Sequence, residues 1–510
     1  MQIEKSFTLH PFLLTFFPVF LIFTGNITLL DFNHLILPTL FVLIPTIVLF
    51  IFLTFFFKNT NKSGLMVSLT VLLFFSYGHI FRESNKFLDL SNASFDITHW
   101  ILFTPFLLII ILGFLYCIKT TRKLNNVTSI LNIISITLII FLAIPLITYD
   151  FNPQYNFQDD ISISTEFILL DNLDKYPDIY YIILDEYAGE EILNNSFNYN
   201  NNNFINFLDS NGFHILKQTT SNYPYSFLSI SSALNMNYVN FFSEEVGIES
   251  QDRRLAYKLF HDNRVMQLFE SNGYSTVNFN SGWGPTTAIK MADQNMCTQE
   301  HYFSSEMLIG LLSNSMLNPI YVDLLLPVDR ERVLCIFSEL SELQFKTEKP
   351  LFVLAHIMLP HGPYVWGPDG EHKKINTLNK SEVEDNKQGY IDQLTFTNKM
   401  IQEVIEKIVE NDKRSEIIII QSDHGASIPM DWENPTEQMQ YERLSNINYI
   451  MLPDVNDNLL EDTLTPVNVF RVLLNNYFNT NFELLENRVY YSEYDKPFNF
   501  TEITYMFEDP

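Results

Sequence analysis

The chain has 510 residues, with 31 Lys/Arg against 59 Asp/Glu, and a formal net charge of −28. The imbalance is local: residues 1–150 hold 8 and 6 of these (net +2), and residues 151–510 hold 23 and 53 (net −30). So acidic a region will not grip nucleic acid through its phosphates, and three cysteines supply neither a disulfide framework nor a zinc-type spacing.

Five apolar stretches come first, at 11–24, 37–57, 65–81, 100–117 and 127–148. Each approaches or meets the roughly 17–25 residues that a helix needs to cross a bilayer. The first has no small-residue cleavage site and reads as a retained helix. Buried core helices would explain one such stretch; five in succession with few charges point to a membrane domain over 1–149. Lys5, Lys58, Lys62, Lys119, Arg122 and Lys123 fall in the loops that would share one side, against only Arg82 and Lys86 on the other. Positive loops stay inside, so the amino terminus is expected in the cytoplasm and everything after Tyr149 outside it. Few ionisable residues lie inside the stretches, which argues against a transporter.

Residues 150–175 read as a polar linker and 176–510 as an extracytoplasmic domain. Ile179–Leu184 is a β-branched, aromatic run expected as a buried strand, ending in Asp185-Glu186. Gly212–Leu216 is a second short strand, Asn222–Tyr238 a Pro-containing turn running into a Ser-rich helix, and 273–279 a strand after a helix at 260–272. Pro350–Met358 and Ser415–Gln421 are two more strands, separated by a polar helix near 389–410. The Asn-rich run 194–203 is expected as a surface loop. Strands alternating with helices predict an α/β/α sandwich on a mainly parallel sheet. Cys297 and Cys335 both fall in this domain and could pair in an oxidising compartment.

Polar residues gather where these strands end. Asp185 is a hard oxygen ligand for a divalent cation, or else a solvated acid. In Tyr223-Pro224-Tyr225-Ser226, the Ser226 hydroxyl opens a helix, where amide donors can hold an anion; serine there also reads as an ordinary N-cap. His361 stands between two prolines in Pro360-His361-Gly362-Pro363, a stiff turn able to aim an imidazole, while His356 lies nearer the strand interior. Ser422-Asp423-His424-Gly425 follows the run Ile417–Ile420 and offers an acid beside an imidazole.

The order Asp185, Ser226, His361, Asp423-His424, with the tail Thr465–Arg471, resembles the alkaline-phosphatase-like superfamily. Within it the chain looks like the membrane-bound sulfatase-like proteins that include lipoteichoic-acid synthases and phosphoethanolamine transferases. The resemblance covers roughly 178–510 and matches the helices only in number and orientation. It implies one divalent metal ion (Mn, Mg or Zn) held by Asp185, Ser226, Asp423 and His424, with Glu186 as an alternative to Asp185. It makes Ser226 the nucleophile, where relatives commonly carry Thr, and sets His361 against the transferred group.

Departures from the family narrow the reaction. The C/S-x-P-x-R signature of sulfate-ester hydrolases is missing, because Ser226 is followed by Phe227-Leu228-Ser229. Two-zinc relatives need a late histidine, and none follows His424. The expected function is therefore a phosphotransferase of the cell membrane. It would move a phospholipid headgroup to a cell-surface glycan or lipid through a phosphoryl-Ser226 intermediate. The rivals are a sulfatase-like hydrolase of sulfuric or phosphoric esters and a non-catalytic membrane protein that keeps the fold.

Overall fold

The computed structural model describes residues 7–27, 32–88, 95–148, 176–298, 306–345, 348–373, 383–410, 414–428, 430–432, 434–453 and 460–508. The expected linker, 150–175, lies outside them. The chain divides into two units: one holds residues 1–153, 300–328 and 376–381, the other the remainder.

The first unit is built from α1 (His10–Gly25), α2 (Ile36–Phe57), α3 (Thr60–Leu88), α4 (Phe95–Lys119) and α5 (Asn125–Thr148). Among the described residues four spans, Phe32–Phe57, Thr60–Phe81, Trp100–Lys119 and Asn125–Thr148, are long and apolar enough to cross a membrane. All five expected helices are present, and α1, apolar but only 16 residues long, is the one shorter than a full span. It is nevertheless the hub of the unit and packs on α2, α3 and α5. His10 at its start is fully buried, with Nδ1 2.6 Å from Ser68 Oγ.

One element of this unit comes from far along the chain. Helix Glu306–Ser313 sets Met307, Leu308, Leu311 and Leu312 against Val19 and Phe23 of α1 and Val42 of α2. The residues after it bond to α3: Gly78 N–H donates to Asn314 O at 3.1 Å, and Met316 N–H to Phe74 O at 3.0 Å. A Cβ on Gly78 would lie 2.5 Å from Ser313 O, so only glycine lets the two backbones meet this closely.

The second unit runs β1 (Asp178–Leu184), α6 (Glu190–Asn195), α7 (Asn202–Ser210), β2 (Phe213–Leu216), α8 (Ser226–Asn235), α9 (Arg254–His261), α10 (Arg264–Ser271), β3 (Ser275–Phe279) and β4 (Gln294–Met296). With Glu306–Ser313 numbered α11, α12 (Asn318–Glu342) begins in the first unit and enters the second at residue 329; the second unit continues with β5 (Leu351–Ile357), α13 (Val383–Val409), β6 (Glu416–Ser422), α14 (Glu437–Leu444), β7 (Asn448–Met451), α15 (Pro466–Tyr477), β8 (Tyr490–Glu493) and β9 (Lys496–Glu502). The Asn-rich run is not one loop: its ends belong to α6 and α7, and Asn201 is buried.

Seven strands form one sheet in the order β2-β7-β6-β1-β5-β3-β4. The centre is parallel, with β1 between β5 and β6, and β3 pairing with β5 and β4. β7 pairs antiparallel with both β6 and β2, so the sheet is mixed. Its central strands are apolar because both faces are covered. On one face Ile179, Tyr181 and Ile183 join Phe269 of α10 and Phe470 and Leu473 of α15 in a single core. From the other face Tyr180 reaches Gln344, whose amide bonds Lys407 O of α13. β8 and β9 form a separate hairpin, and Cys297 and Cys335 are joined by a disulfide.

Candidate active site

Because β6, β1 and β5 are adjacent and parallel, their carboxyl ends open together, where α/β sheets bind ligands. The register aligns Leu184 with both Ile357 and Ser422, so Asp185 and Asp423 each stand one residue beyond a paired position. His356 pairs with Ile183, one step below. The site thus follows from strand alignment.

Asp185, Glu186, His356, Asp423 and His424 are all buried. Ligand atoms of Asp185, His356 and Asp423 lie within 4.8 Å of one another, and so do those of Asp185, Glu186 and His361. Asp185 Oδ1, Asp423 Oδ2 and His356 Nε2 are buried without a hydrogen bond. Ionised groups this deep cost several kcal/mol each unless paired, and the contacts here are His356 Nε2 at 3.3 Å from Asp185 Oδ2 and His424 Nε2 at 3.1 Å from Asp423 Oδ2. Burial alone would raise the Asp185 carboxyl, but the imidazoles of His361 and His356 outweigh it and hold that group well below the usual carboxylate range. Burial and the charge of Asp185 push Asp423 up to about 7. Two carboxyls in so small a dry space cannot both carry charge unless a cation lies among them. Carboxylate oxygens with an imidazole suit a divalent metal ion, so the residues fit one.

Ser226 is the first residue of α8; the cap position belongs to Tyr225, which makes no side-chain cap. The reading of Ser226 as a cap is therefore corrected. Its Oγ lies 3.2 Å from His424 Nε2, and His424 Nε2 lies 3.1 Å from Asp423 Oδ2. Burial and the charge of Arg443 keep His424 well below the ordinary imidazole range, hence neutral. Its Nδ1 is 3.2 Å from Gly425 O, a tautomer that leaves the Nε2 lone pair facing Ser226. That lone pair can accept the serine proton or bind a cation. Ser229 is buried on the same helix.

His361 is 39% exposed and sits at the open side, Nε2 3.8 Å from Glu186 Oε1. Burial would lower its pKa, but Glu186 and Asp185 raise it above the ordinary value. Gln393 holds the turn by donating to His361 O at 2.7 Å and Pro360 O at 3.2 Å.

One contribution escaped the sequence reading, and two others were given too little weight in it. Arg443 of α14 is buried, with Nη1 donating to Glu186 Oε1 at 2.7 Å, Nε to Pro224 O at 2.9 Å and Nη2 3.0 Å from His424 Nε2. Glu186 turns toward it from a left-handed backbone, φ +63, a strained position of a kind that clusters at functional sites. His356, ranked below His361 in sequence, is the more deeply placed of the two, and Thr286 Oγ1 lies 3.1 Å from its Nδ1. The acid doublet at 185–186 was a visible signal; Arg443 had none.

Among solved structures the chain is similar to the integral membrane protein lipooligosaccharide phosphoethanolamine transferase A (EptA) from Neisseria meningitidis, at 11% identity and TM-score 0.42, covering 91% of this chain and 94% of that one. The C-terminal periplasmic domain of EptC from Escherichia coli is similar at 11% identity and TM-score 0.42, over 65% and 93% of the two chains. That of the phosphoethanolamine transferase EptC from Campylobacter jejuni is similar at 15% identity and TM-score 0.40, over 61% and 92%. None of the curated proteins matches. The Sulfatase family matches residues 177–455, more than half of the sequence and the whole of the strand-end site, and the chain belongs to that family.

Proposed function

We propose that the chain is a metal-dependent phosphotransferase of the cell membrane. It moves a phospholipid headgroup onto a cell-surface glycan or lipid, with Ser226 as nucleophile. The observation that carries this reading is the Ser226 hydroxyl at the head of α8, 3.2 Å from a neutral His424 and beside two buried carboxyls with unpaired oxygens. The sequence Ser-Phe-Leu-Ser at 226–229 lacks the C/S-x-P-x-R pattern, so Ser226 works as a hydroxyl and sulfate-ester hydrolysis is disfavoured.

Asp185, Asp423 and His424 would hold one divalent cation with Ser226; Mn, Mg and Zn suit these ligands about equally. When bound, the ion supplies a Lewis acid that lowers the hydroxyl pKa and neutralises phosphoryl charge. The Ser226 oxygen bonds to phosphorus as the bond from phosphorus to the glycerolipid oxygen breaks. The proton lost by Ser226 is matched by the one that the leaving alkoxide takes up. The acceptor hydroxyl then bonds to phosphorus, the Ser226 O–P bond breaks, and Ser226 regains a proton. His361, at the open side, contacts the transferred group.

A cytoplasmic amino terminus and an extracytoplasmic catalytic domain complete the reading. Supporting that topology, α11 belongs in sequence to the outer region, yet it packs on Phe23, Val42 and Gly78, near the helix ends that the Lys/Arg pattern puts outside. The test is incubation of the purified chain with a headgroup-labelled phospholipid, followed by an acid quench. Label on the peptide containing Ser226 is expected. Headgroup phosphate released steadily, with no acceptor modified, would make the protein a hydrolase.

A further inference from the structure

Ser226 is flanked by two rings, Tyr225 and Phe227, which stack with centroids 5.8 Å apart. The Tyr225 hydroxyl donates to Ser492 O at 2.8 Å and ties this turn to β8. The two residues between β8 and β9 are Tyr494 and Asp495, so the hairpin tip arrives beside the nucleophile's turn. The Tyr494 ring lies 5.6 Å from that of Tyr225. Trp432, between β6 and α14, lies 6.2 Å from Tyr225 and 6.0 Å from Tyr494. Trp432 and Tyr494 stay 40% and 49% exposed, and with Glu493 and Asp495 they line a cleft of about 760 Å³.

These rings already hold cations. The Arg253 guanidinium lies 4.7 Å from the Tyr494 centroid and that of Arg443 lies 5.3 Å from the Trp432 centroid. A ring's electron-rich faces attract a positive charge. The two carboxylates beside the exposed rings add to that attraction. Lys496, paired with Glu493 in the hairpin, bonds Glu249 instead, and no ion pair among the described residues uses Glu493 or Asp495. A neutral sugar could stack on these rings but gains no charge attraction from the two carboxylates, which oppose an anion.

We propose that this cleft is a binding subsite for a positively charged amine, protonated or methylated. On the phosphotransferase reading, and only there, that amine belongs to the headgroup whose phosphorus Ser226 attacks. Trp432 and Tyr494 face the ammonium group, and Glu493 and Asp495 balance its charge.

Binding is measured apart from turnover, so failure of the transferase reading leaves the result legible. The full chain in detergent is titrated with choline chloride, and separately with methyl glucoside, following tryptophan fluorescence. Saturable quenching by choline is expected, lost in Trp432→Phe and weakened roughly tenfold by Tyr494→Ala. Because truncation of a ring could disturb the hairpin, Glu493→Gln/Asp495→Asn provides a second variant of nearly unchanged shape, with a similar loss followed by calorimetry. Choline affinity unchanged in that double variant, saturation by methyl glucoside alone, or no saturation by either probe would overturn the proposal.

Discussion

Ser226 and His424 are 198 residues apart in sequence, yet Oγ and Nε2 lie 3.2 Å apart, joined by the head of α8 and the end of β6. The opposite ring nitrogen of His424 is committed to Gly425 O, so Ser226 meets the Nε2 lone pair, toward which Arg443 Nη2 also donates at 3.0 Å. A hydroxyl held this way is poised for chemistry.

Ser226→Ala should therefore reduce turnover by about 10³-fold or more, the scale on which losing a nucleophile acts. Ser229→Ala, one helical turn on, removes only a buried hydroxyl and should keep most of the activity. Parallel assays of headgroup transfer on both variants, normalised to folded protein, decide the matter. Equal loss in both would return Ser226 to a structural role.

Asp423→Asn keeps the side-chain volume and removes one of two carboxyls that oppose each other's charge. Divalent-metal affinity should fall by at least about 100-fold, the charge being gone from the ligand set. In the presence of chelator, the variant should melt no lower than the wild type, since the repulsion from Asp185 is relieved. Metal analysis and thermal melts with and without chelator test both halves. Two ions per wild-type chain would refute a single-metal site.

Arg443 is the buried counter-charge of Glu186. Arg443→Met should destabilise the protein by about 3–5 kcal/mol, because it strands a buried carboxylate. Adding Glu186→Gln should restore part of that loss. A double-mutant cycle by denaturant unfolding reads the coupling; additive effects would mean that the two side chains are independent.

Cys297 and Cys335 are joined by a disulfide, a bond that persists in oxidising compartments and is rare in the cytoplasm. Maleimide added to intact cells and then to lysed cells should leave both cysteines unlabelled until a reductant is present. Ready labelling without reductant would place the domain in the cytoplasm and remove its lipid and glycan substrates.

Much of the site could be read in the sequence because strand ends announce themselves. The apolar runs before Asp185 and Asp423 are unmistakable, and adjacent parallel strands bring their ends together. His356 was underrated since alternation along β5 says which face it takes, not that register sets it level with Ile183, two residues before Asp185. Arg443 could not be found, because its partners Glu186, Pro224 and His424 converge only through the fold. The hairpin of β8 and β9 was missed for a different reason: its strands are short, polar and remote from every motif. α11 is eight residues long and looks like any core helix until its neighbours are known.

That helix bears on how the protein could be divided. A fragment beginning at residue 176 would carry Met307, Leu308, Leu311 and Leu312 without the residues of α1 and α2 that cover them. Cutting at the linker would thus create a sticky apolar tooth, and trading the helical region for that of another protein would have to preserve its socket, down to the bare α-carbon of Gly78.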